Sequence, residues 1–286
     1  MDNLKAKKRH PEEIAVYTAI YVCAAFSVLL LLGIIIYVFA RGARRVNWAF
    51  LTGVTSILHG TVGIAGNILN TLIIILLTMI ITTPIGVGAA IYLNEYAKPG
   101  KLVTVIIFAT ETLAGIPSII FGLFGMLFFG QLCHMGYSLL TGSLTLTLMV
   151  LPLVTRNTQE ALKTVPDSFR TGAVGLGAGK WYTIRTILLP SAMPGIVTGV
   201  ILAIGRIIGE SAALLFTAGS AHLLPKTFNA FLEKIFHSGG TLTIQLYLSA
   251  SKGEFEVAFG IAVVLLVIVL LINFGTKRLA KKLEKH

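Results

Sequence analysis

Five stretches of this chain contain no Asp, Glu, Lys or Arg: residues 14–40, 46–94, 112–155, 186–205 and 257–276. A helix needs about 20 apolar residues to cross the hydrocarbon core of a bilayer, and each run supplies that length. Surfaces of this kind cannot face water, so a soluble enzyme is excluded. Composition agrees, with 55% of the 286 residues hydrophobic and 12% charged, about half the charge of a soluble domain. The sequence specifies an all-α integral membrane protein with six transmembrane helices, near residues 14–40, 66–93, 102–130, 136–155, 190–219 and 257–276.

The net charge of +11 is not a nucleic-acid signature, because the basic residues lie in short segments between the spans. Orientation explains them. With both termini cytoplasmic, that side receives Lys5, Lys7, Lys8, Arg9, Lys98, Lys101, Arg156, Lys163, Arg170, Lys180, Arg185, Lys277, Arg278, Lys281, Lys282 and Lys285, 16 in all. The opposite side holds six, Arg41, Arg44, Arg45, Lys226, Lys234 and Lys252, and Arg206 falls inside the fifth span. The excess favours cytoplasmic termini, although Arg41, Arg44 and Arg45 run against it locally. The basic N-terminus followed by an apolar run resembles a secretion signal. That run is too long and lacks a small-residue cleavage site, so it reads as a retained first helix.

These boundaries divide the chain into a cytoplasmic N-terminal segment (1–13), a first transmembrane helix (14–40), an external connection (41–65), a core (66–280) containing a cytoplasmic loop (156–189), and a cytoplasmic tail (281–286). The external stretch 241–251, with alternating apolar and polar residues, reads as an interfacial element. Cys23 and Cys133 are too few for a disulfide framework or a cysteine metal site. His59, His134, His222 and His237 fall in external loops without ligand spacing, so no metal site is expected.

The loop after the fourth span reads as helix, break, helix, break, helix. A helix over 159–164 stops before Pro166, which can open the next one. That second helix runs to about Leu176. Gly175, Gly177 and Gly179 then break it, and residues 180–188 form a short amphipathic piece ending at Pro190. Such a protrusion can press into a groove on another protein; the bland reading is an ordinary surface loop. Gly-Ala-Gly-Lys at 177–180 is not a phosphate-binding loop, since Val174 stands where the first Gly is needed and Trp181 where Ser or Thr would bind magnesium.

The pattern Ala173, three residues, Gly177, nine residues, then Ile187-Leu188-Leu189-Pro190 resembles the loop of permease subunits of bacterial ABC importers, written Glu-Ala-Ala, three residues, Gly, nine residues, Ile-x-Leu-Pro. The spacing matches throughout, while Thr171 and Gly172 replace the usual Glu and Ala. The resemblance implies that Thr171, Gly172, Ala173, Gly177, Ile187, Leu189 and Pro190 belong to a coupling loop that docks on a cytoplasmic ATPase.

Three ionisable residues lie within spans: Glu111 in the third, and Arg206 and Glu210 in the fifth. Each costs about 2.5–3.5 kcal/mol at a helix centre. Arg206 and Glu210 are spaced to pair on one helical face, either as a packing device or as part of a polar path in which a guanidinium offers forked donors to an oxyanion. Glu111 either faces that path or bonds a neighbouring hydroxyl. Pro117 should kink its helix. Gly195 and Gly199, and again Gly205 and Gly209, sit one turn apart and suggest close helix approach.

The run Gly205-Arg206-Ile207-Ile208-Gly209-Glu210-Ser211, with Glu111-Thr112-Leu113-Ala114-Gly115-Ile116-Pro117, Pro84-Ile85-Gly86-Val87 and Tyr92-Leu93-Asn94-Glu95-Tyr96, resembles phosphate-importing ABC permeases of the PstA type over roughly residues 65–280. The resemblance implies inorganic phosphate as cargo and Arg206, Glu210 and Glu111 on its pathway. It further implies a bacterial plasma-membrane location, a second, PstC-like permease subunit, two PstB-like ATP-binding subunits and an external PstS-like phosphate-binding protein. No cofactor is expected in this chain, with ATP and Mg held by the ATPase. Permeases for another oxyanion (sulfate or molybdate), a secondary transporter using intramembrane carboxylates, and a membrane scaffold remain open.

Overall fold

The computed structural model describes residues 11–56, 61–225 and 227–283; Lys5, Lys7, Lys8, Arg9, His59, Lys226 and Lys285 lie outside them. In chain order the elements are α1 (Pro11–Gly42), α2 (Trp48–Thr52), β1 (Val54–Ser56), β2 (Thr61–Ile64), α3 (Ala65–Ile91), α4 (Lys101–Gly115), α5 (Ser118–Gly125), α6 (Leu139–Lys163), α7 (Asp167–Gly175), α8 (Lys180–Thr183), α9 (Leu189–Gly209), α10 (Ala212–Thr217), α11 (Phe228–Glu233), α12 (Leu242–Ser251) and α13 (Phe255–Leu283). Among the described residues five helices are long and apolar enough to cross a membrane, and a bent pair, Lys101–Gly115 with Ser118–Leu132, brings the number to six when taken as one broken span. The six expected spans are therefore present, with several differences in detail.

The third span is not one kinked helix but two halves set at 103°. Pro117 removes a backbone donor and holds Ile116 in the extended region, φ −73° and ψ 132°, as a residue before proline prefers. The fourth span runs on to Lys163, absorbing both Arg156 and the expected separate helix at 159–164. No break occurs at Pro190. A π-helical segment, Ile184–Leu188, joins α8 to α9, so one apolar helix runs Lys180–Gly209. π-bulges of this kind interrupt the ordinary i→i−4 ladder, and here one lies where Pro190 supplies no N–H.

A small antiparallel pair, β1 with β2, departs from the all-α expectation. Asn47 starts α2 by accepting a hydrogen bond from Phe50 N at 2.8 Å. The interfacial stretch is also different. Residues 242–251 form α12, whose Leu242, Ile244 and Ser249 are buried.

The centre of the fold is α6, packed between α3 and α9. Helices in lipid gain little from hydrophobic transfer and associate through close contact of small residues. α6 buries Gly142, Ser143, Thr145 and Thr147, and the Thr145 and Thr147 hydroxyls donate to carbonyls one turn back at 2.8 and 2.9 Å, which satisfies them inside the helix. Ile74, Leu146, Val150, Ile207 and Leu214 fill this core. A second cluster, with Leu162, Ile184, Leu188 and Ile196, lies beneath α7. A third, with Phe50, Ile64, Leu242 and Ile261, closes the opposite end.

Polar side chains at the start of α3 hold that opposite end together. Asn67 Nδ2 donates to Gly240 O at 2.9 Å, and Asn70 Nδ2 donates to Ala221 O and Gly240 O at 3.0 Å. Thr71 Oγ1 accepts from Leu242 N at 3.0 Å, fixing the entry to α12. By contrast, none of the apolar stretch of α1 is buried within the chain; only its end packs, where Gly42 abuts the Phe259 backbone and Tyr37 meets the Phe259 ring edge-on at 5.7 Å.

Candidate functional site

Two broken helices meet in the middle of the fold. α9 ends at Gly209 because Glu210 turns extended, φ −82° and ψ 124°, and α10 resumes after Ser211. Glu210 spans the break: its Oε1 accepts from Ala213 N at 3.1 Å and its carbonyl accepts from Thr243 Oγ1 at 2.8 Å. The expected ion pair of Arg206 with Glu210 is therefore absent, since four-residue spacing aligns side chains only while the helix continues. α10 packs across α5 so closely that a Cβ on Gly122 would fall 2.8 Å from Ala213 Cα. The half-helices that follow the gaps at 116–117 and 210–211 are thus packed on one another.

Arg206 instead lines a cavity of about 210 Å³ with Thr110, Glu111, Met149, Pro152 and Arg156. The structure brings Glu111 and Arg206 together, leaves Glu210 out, and adds Arg156. Sequence reading counted Arg156 as a loop charge because the apolar run stops at Thr155, whereas α6 carries it within the span. Among the described residues no ion pair within 4.0 Å joins any of these three groups. Two guanidiniums and one carboxylate give the cavity a net positive charge, and forked N–H donors suit an oxyanion. The helical face that carries Arg206 is open: a Cβ on Gly205 or Gly209 would meet nothing within 4 Å, whereas one on Gly195 or Gly199 would fall 2.5 Å from Ala161 Cβ or 2.6 Å from Asn157 Cβ. Close packing is thus confined to the first pair of glycines.

The loop between α6 and α9 is the second part of the site. Two residues past the end of α7, Gly177 takes φ +80° with open space around it, a backbone region costing an ordinary residue about 1–2 kcal/mol. Ala173 and Leu188 are buried, while Thr171, Gly172 and Pro190 are exposed and Ile187 and Leu189 half-buried. Leu176 is 91% exposed, and Val174, Trp181 and Tyr182 are likewise exposed. Glycines interleave Val174 and Leu176 and separate them from Trp181 and Tyr182, so no continuous apolar run marks this cap in the sequence.

A clamp beneath the loop was also missed. Arg170 Nη2 lies 2.9 Å from Glu95 Oε1. Its Nη1 donates to Asp167 Oδ1 at 2.9 Å and to Val165 O at 3.0 Å, and Nη2 reaches Leu162 O at 3.1 Å. One guanidinium thus ties α7 to the end of α6 and to Tyr92–Tyr96, the π-helical extension of α3. The hydrogen bond to Glu95 raises the Arg170 pKa above the usual guanidinium value, with burial acting against it. Lys180 Nζ, at the start of α8, sits 4.7 Å from the Tyr96 ring centroid, a second tie from the loop to the same extension of α3. Among the described residues no three His, Cys, Asp or Glu side chains cluster as metal ligands.

Residues 82–286 match the family described as binding-protein-dependent transport system inner membrane component. The chain is 36% identical over 273 residues to the probable ABC transporter permease protein YqgI of Bacillus subtilis, covering 92% of this chain and 93% of that one. It is 37% identical over 223 residues to the phosphate transport system permease protein PstA of Xylella fastidiosa, covering 76% and 74%, and 34% identical over 232 residues to PstA 1 of Mycobacterium tuberculosis, covering 79% and 70%. Its fold is that of a chain in a bacterial alginate ABC transporter complex (TM-score 0.71, 14% identity, 96% of each chain covered) and of one in the MetNI methionine ABC transporter in an inward-facing conformation (TM-score 0.58, 21% identity, 77% of this chain and 94% of that one). The chain belongs to the binding-protein-dependent transport system inner membrane component family: it is a multi-pass membrane permease subunit of an ABC importer, a family that implies a separate ATPase and a substrate-binding protein as partners.

Proposed function

We propose that this chain is a permease subunit of an ATP-driven phosphate importer, forming half of the transmembrane pathway and coupling through 156–189 to the ATPase. The observation that carries this reading is the single cavity lined by Arg156, Arg206 and Glu111 beside the two helix breaks. Broken helices expose backbone groups at bilayer depth only where they are buried in protein or line a path. The relatives named as phosphate transport permeases support phosphate over another oxyanion.

In this mechanism Arg206 and Arg156 receive the tetrahedral anion, while Glu111 competes for the same guanidiniums and keeps the site from holding its cargo tightly. Glu210 fixes the break that points Arg206 into the path. The open face of α9 meets a second, PstC-like permease across the pathway. The apolar cap at Leu176 docks on a PstB-like ATPase, one of two, which holds ATP and Mg, and a PstS-like phosphate-binding protein delivers cargo outside. Both termini are cytoplasmic and the membrane is the bacterial plasma membrane.

Uptake of radiolabelled phosphate by cells that depend on this permease tests the proposal. Arg206→Gln should abolish uptake while membrane insertion persists, and excess sulfate or molybdate should not compete with the parent protein. Competition by sulfate would transfer the assignment to that oxyanion. Normal uptake with Arg206→Gln would remove Arg206 from the pathway.

A further inference from the structure

Arg41, Arg44 and Arg45 sit where the positive-inside bias disfavours them, at the end of the fold opposite to the coupling loop, beside the cluster of Phe50, Ile64 and Leu242. The structure gathers all three around one cavity of about 410 Å³, closed on the far side by Phe255, Glu256 and Phe259 at the start of α13. Among the described residues no carboxylate comes within 4.0 Å of any of the three guanidiniums, Glu256 included, and none of the three donates a hydrogen bond. Two are held in place by rings instead: Arg41 lies 5.7 Å from the centroid of Tyr37 and Arg45 lies 5.9 Å from that of Phe50. Arg45 Nε is buried with no acceptor.

Three guanidiniums around one cavity, two of them over aromatic rings, with their side-chain donors unused and Arg45 Nε already cut off from water, form a receptor for a multiply bonded oxyanion. Among the described residues no side-chain hydrogen bond joins these arginines to the last carbonyls of α1, so they face the negative end of that helix through space alone, with their donors left over. The location narrows the ligand. The cavity opens at the foot of α1, whose apolar stretch is uncovered within the chain and whose exposed Ile36 and Tyr37 lead up to Arg41. An anion seated there lies at headgroup depth beside a lipid-facing groove.

We infer that Arg41, Arg44 and Arg45 bind a phosphate group at the membrane surface opposite to the coupling loop, carried by a glycerophospholipid headgroup or free in solution. The shared chemistry is a phosphate oxyanion bonded by forked guanidinium donors. In a lipid carrying an ethanolamine headgroup, Glu256 would additionally face the ammonium group.

The full-length chain, extracted from bacterial membranes with its partner subunits and washed in detergent, provides the test. Native mass spectrometry should find a retained phospholipid on the parent protein, and retention should fall about ten-fold or more when Arg41→Gln, Arg44→Gln and Arg45→Gln are combined. Titration with inorganic phosphate separates the sources: a lipid that stays bound marks the headgroup as the ligand, and a lipid displaced by millimolar phosphate marks free phosphate as a ligand of the same site. Should the triple Gln variant fail to assemble, Arg41→Lys with Arg44→Lys and Arg45→Lys keeps the charge but not the fork, and must still lose the lipid. Equal retention by the parent protein and either triple variant, with no displacement by phosphate, overturns the inference.

Discussion

Arg170 Nη2 stands 2.9 Å from Glu95 Oε1, across 75 residues of sequence, and the Glu95 side chain is only 8% exposed. Removing the cation leaves a carboxylate enclosed without its partner, so Arg170→Ala should destabilise the fold by about 2–4 kcal/mol. Glu95→Gln should cost less, because an amide oxygen still accepts from Arg170. Arg170→Lys should fall between, since one ammonium cannot serve Glu95, Asp167 and two carbonyls together. Thermal unfolding of the detergent-purified protein checks the order. A lysine variant as stable as the parent would show that charge alone matters.

Gly177→Val places a β-branched residue at φ +80°, where strain of about 1–2 kcal/mol is expected. Space is open around the position, so the fold tolerates the side chain while the turn between α7 and α8 shifts. The expected outcome is normal membrane insertion and continuing ATP hydrolysis with uptake largely lost. Uptake at the parental rate would mean that this turn does not transmit the ATPase motion.

Glu210→Gln and Glu210→Ala should part company. Glutamine preserves the acceptor that caps Ala213 N, whereas alanine leaves that donor unmet at a cost of about 1 kcal/mol. Phosphate uptake should therefore survive the first change better than the second. If glutamine is as damaging as alanine, the charge of Glu210 and not its capping bond is what transport uses.

The two glycine pairs of α9 should respond in opposite ways. Gly199→Leu drives a side chain into Asn157 and should prevent α6 and α9 from closing, lowering the yield of folded protein. Gly205→Ala meets open space and gains up to about 1 kcal/mol of helix propensity, so stability should hold. Phosphate transport by the Gly205→Ala variant then reports on the path itself. Equal loss of folded protein from both changes would show that the open face of α9 is buried in the native membrane form.

Hydropathy revealed the spans because lipid imposes a continuous apolar length that no tertiary contact can replace. Spacing revealed the turn after α7 because Gly177 takes a positive φ there. Other features left no local trace. Pro117 announced a break, but the 103° angle depends on α10 lying across α5. Pro190 looked like a terminator, and only the π segment upstream shows how the helix passes through it. The expected Arg206 and Glu210 pair assumed an unbroken helix past Gly209. Arg156 joined the cavity because hydropathy ends a span at its first charge, whereas α6 continues to Lys163. The partnership of Glu95 with Arg170 depends on how α3 and α6 pack, which no short window of sequence contains.

The span Ala65–Tyr96 is fastened at both ends, by Asn67 and Asn70 to the backbone at Ala221 and Gly240 and by Glu95 to Arg170 of α7. Within it Pro84 is the one proline, and it leaves one rung of the helical ladder without a donor. The same helix therefore carries a contact to α7 at one end and to the segment leading into α12 at the other, so the two ends of the fold share one continuous piece of backbone.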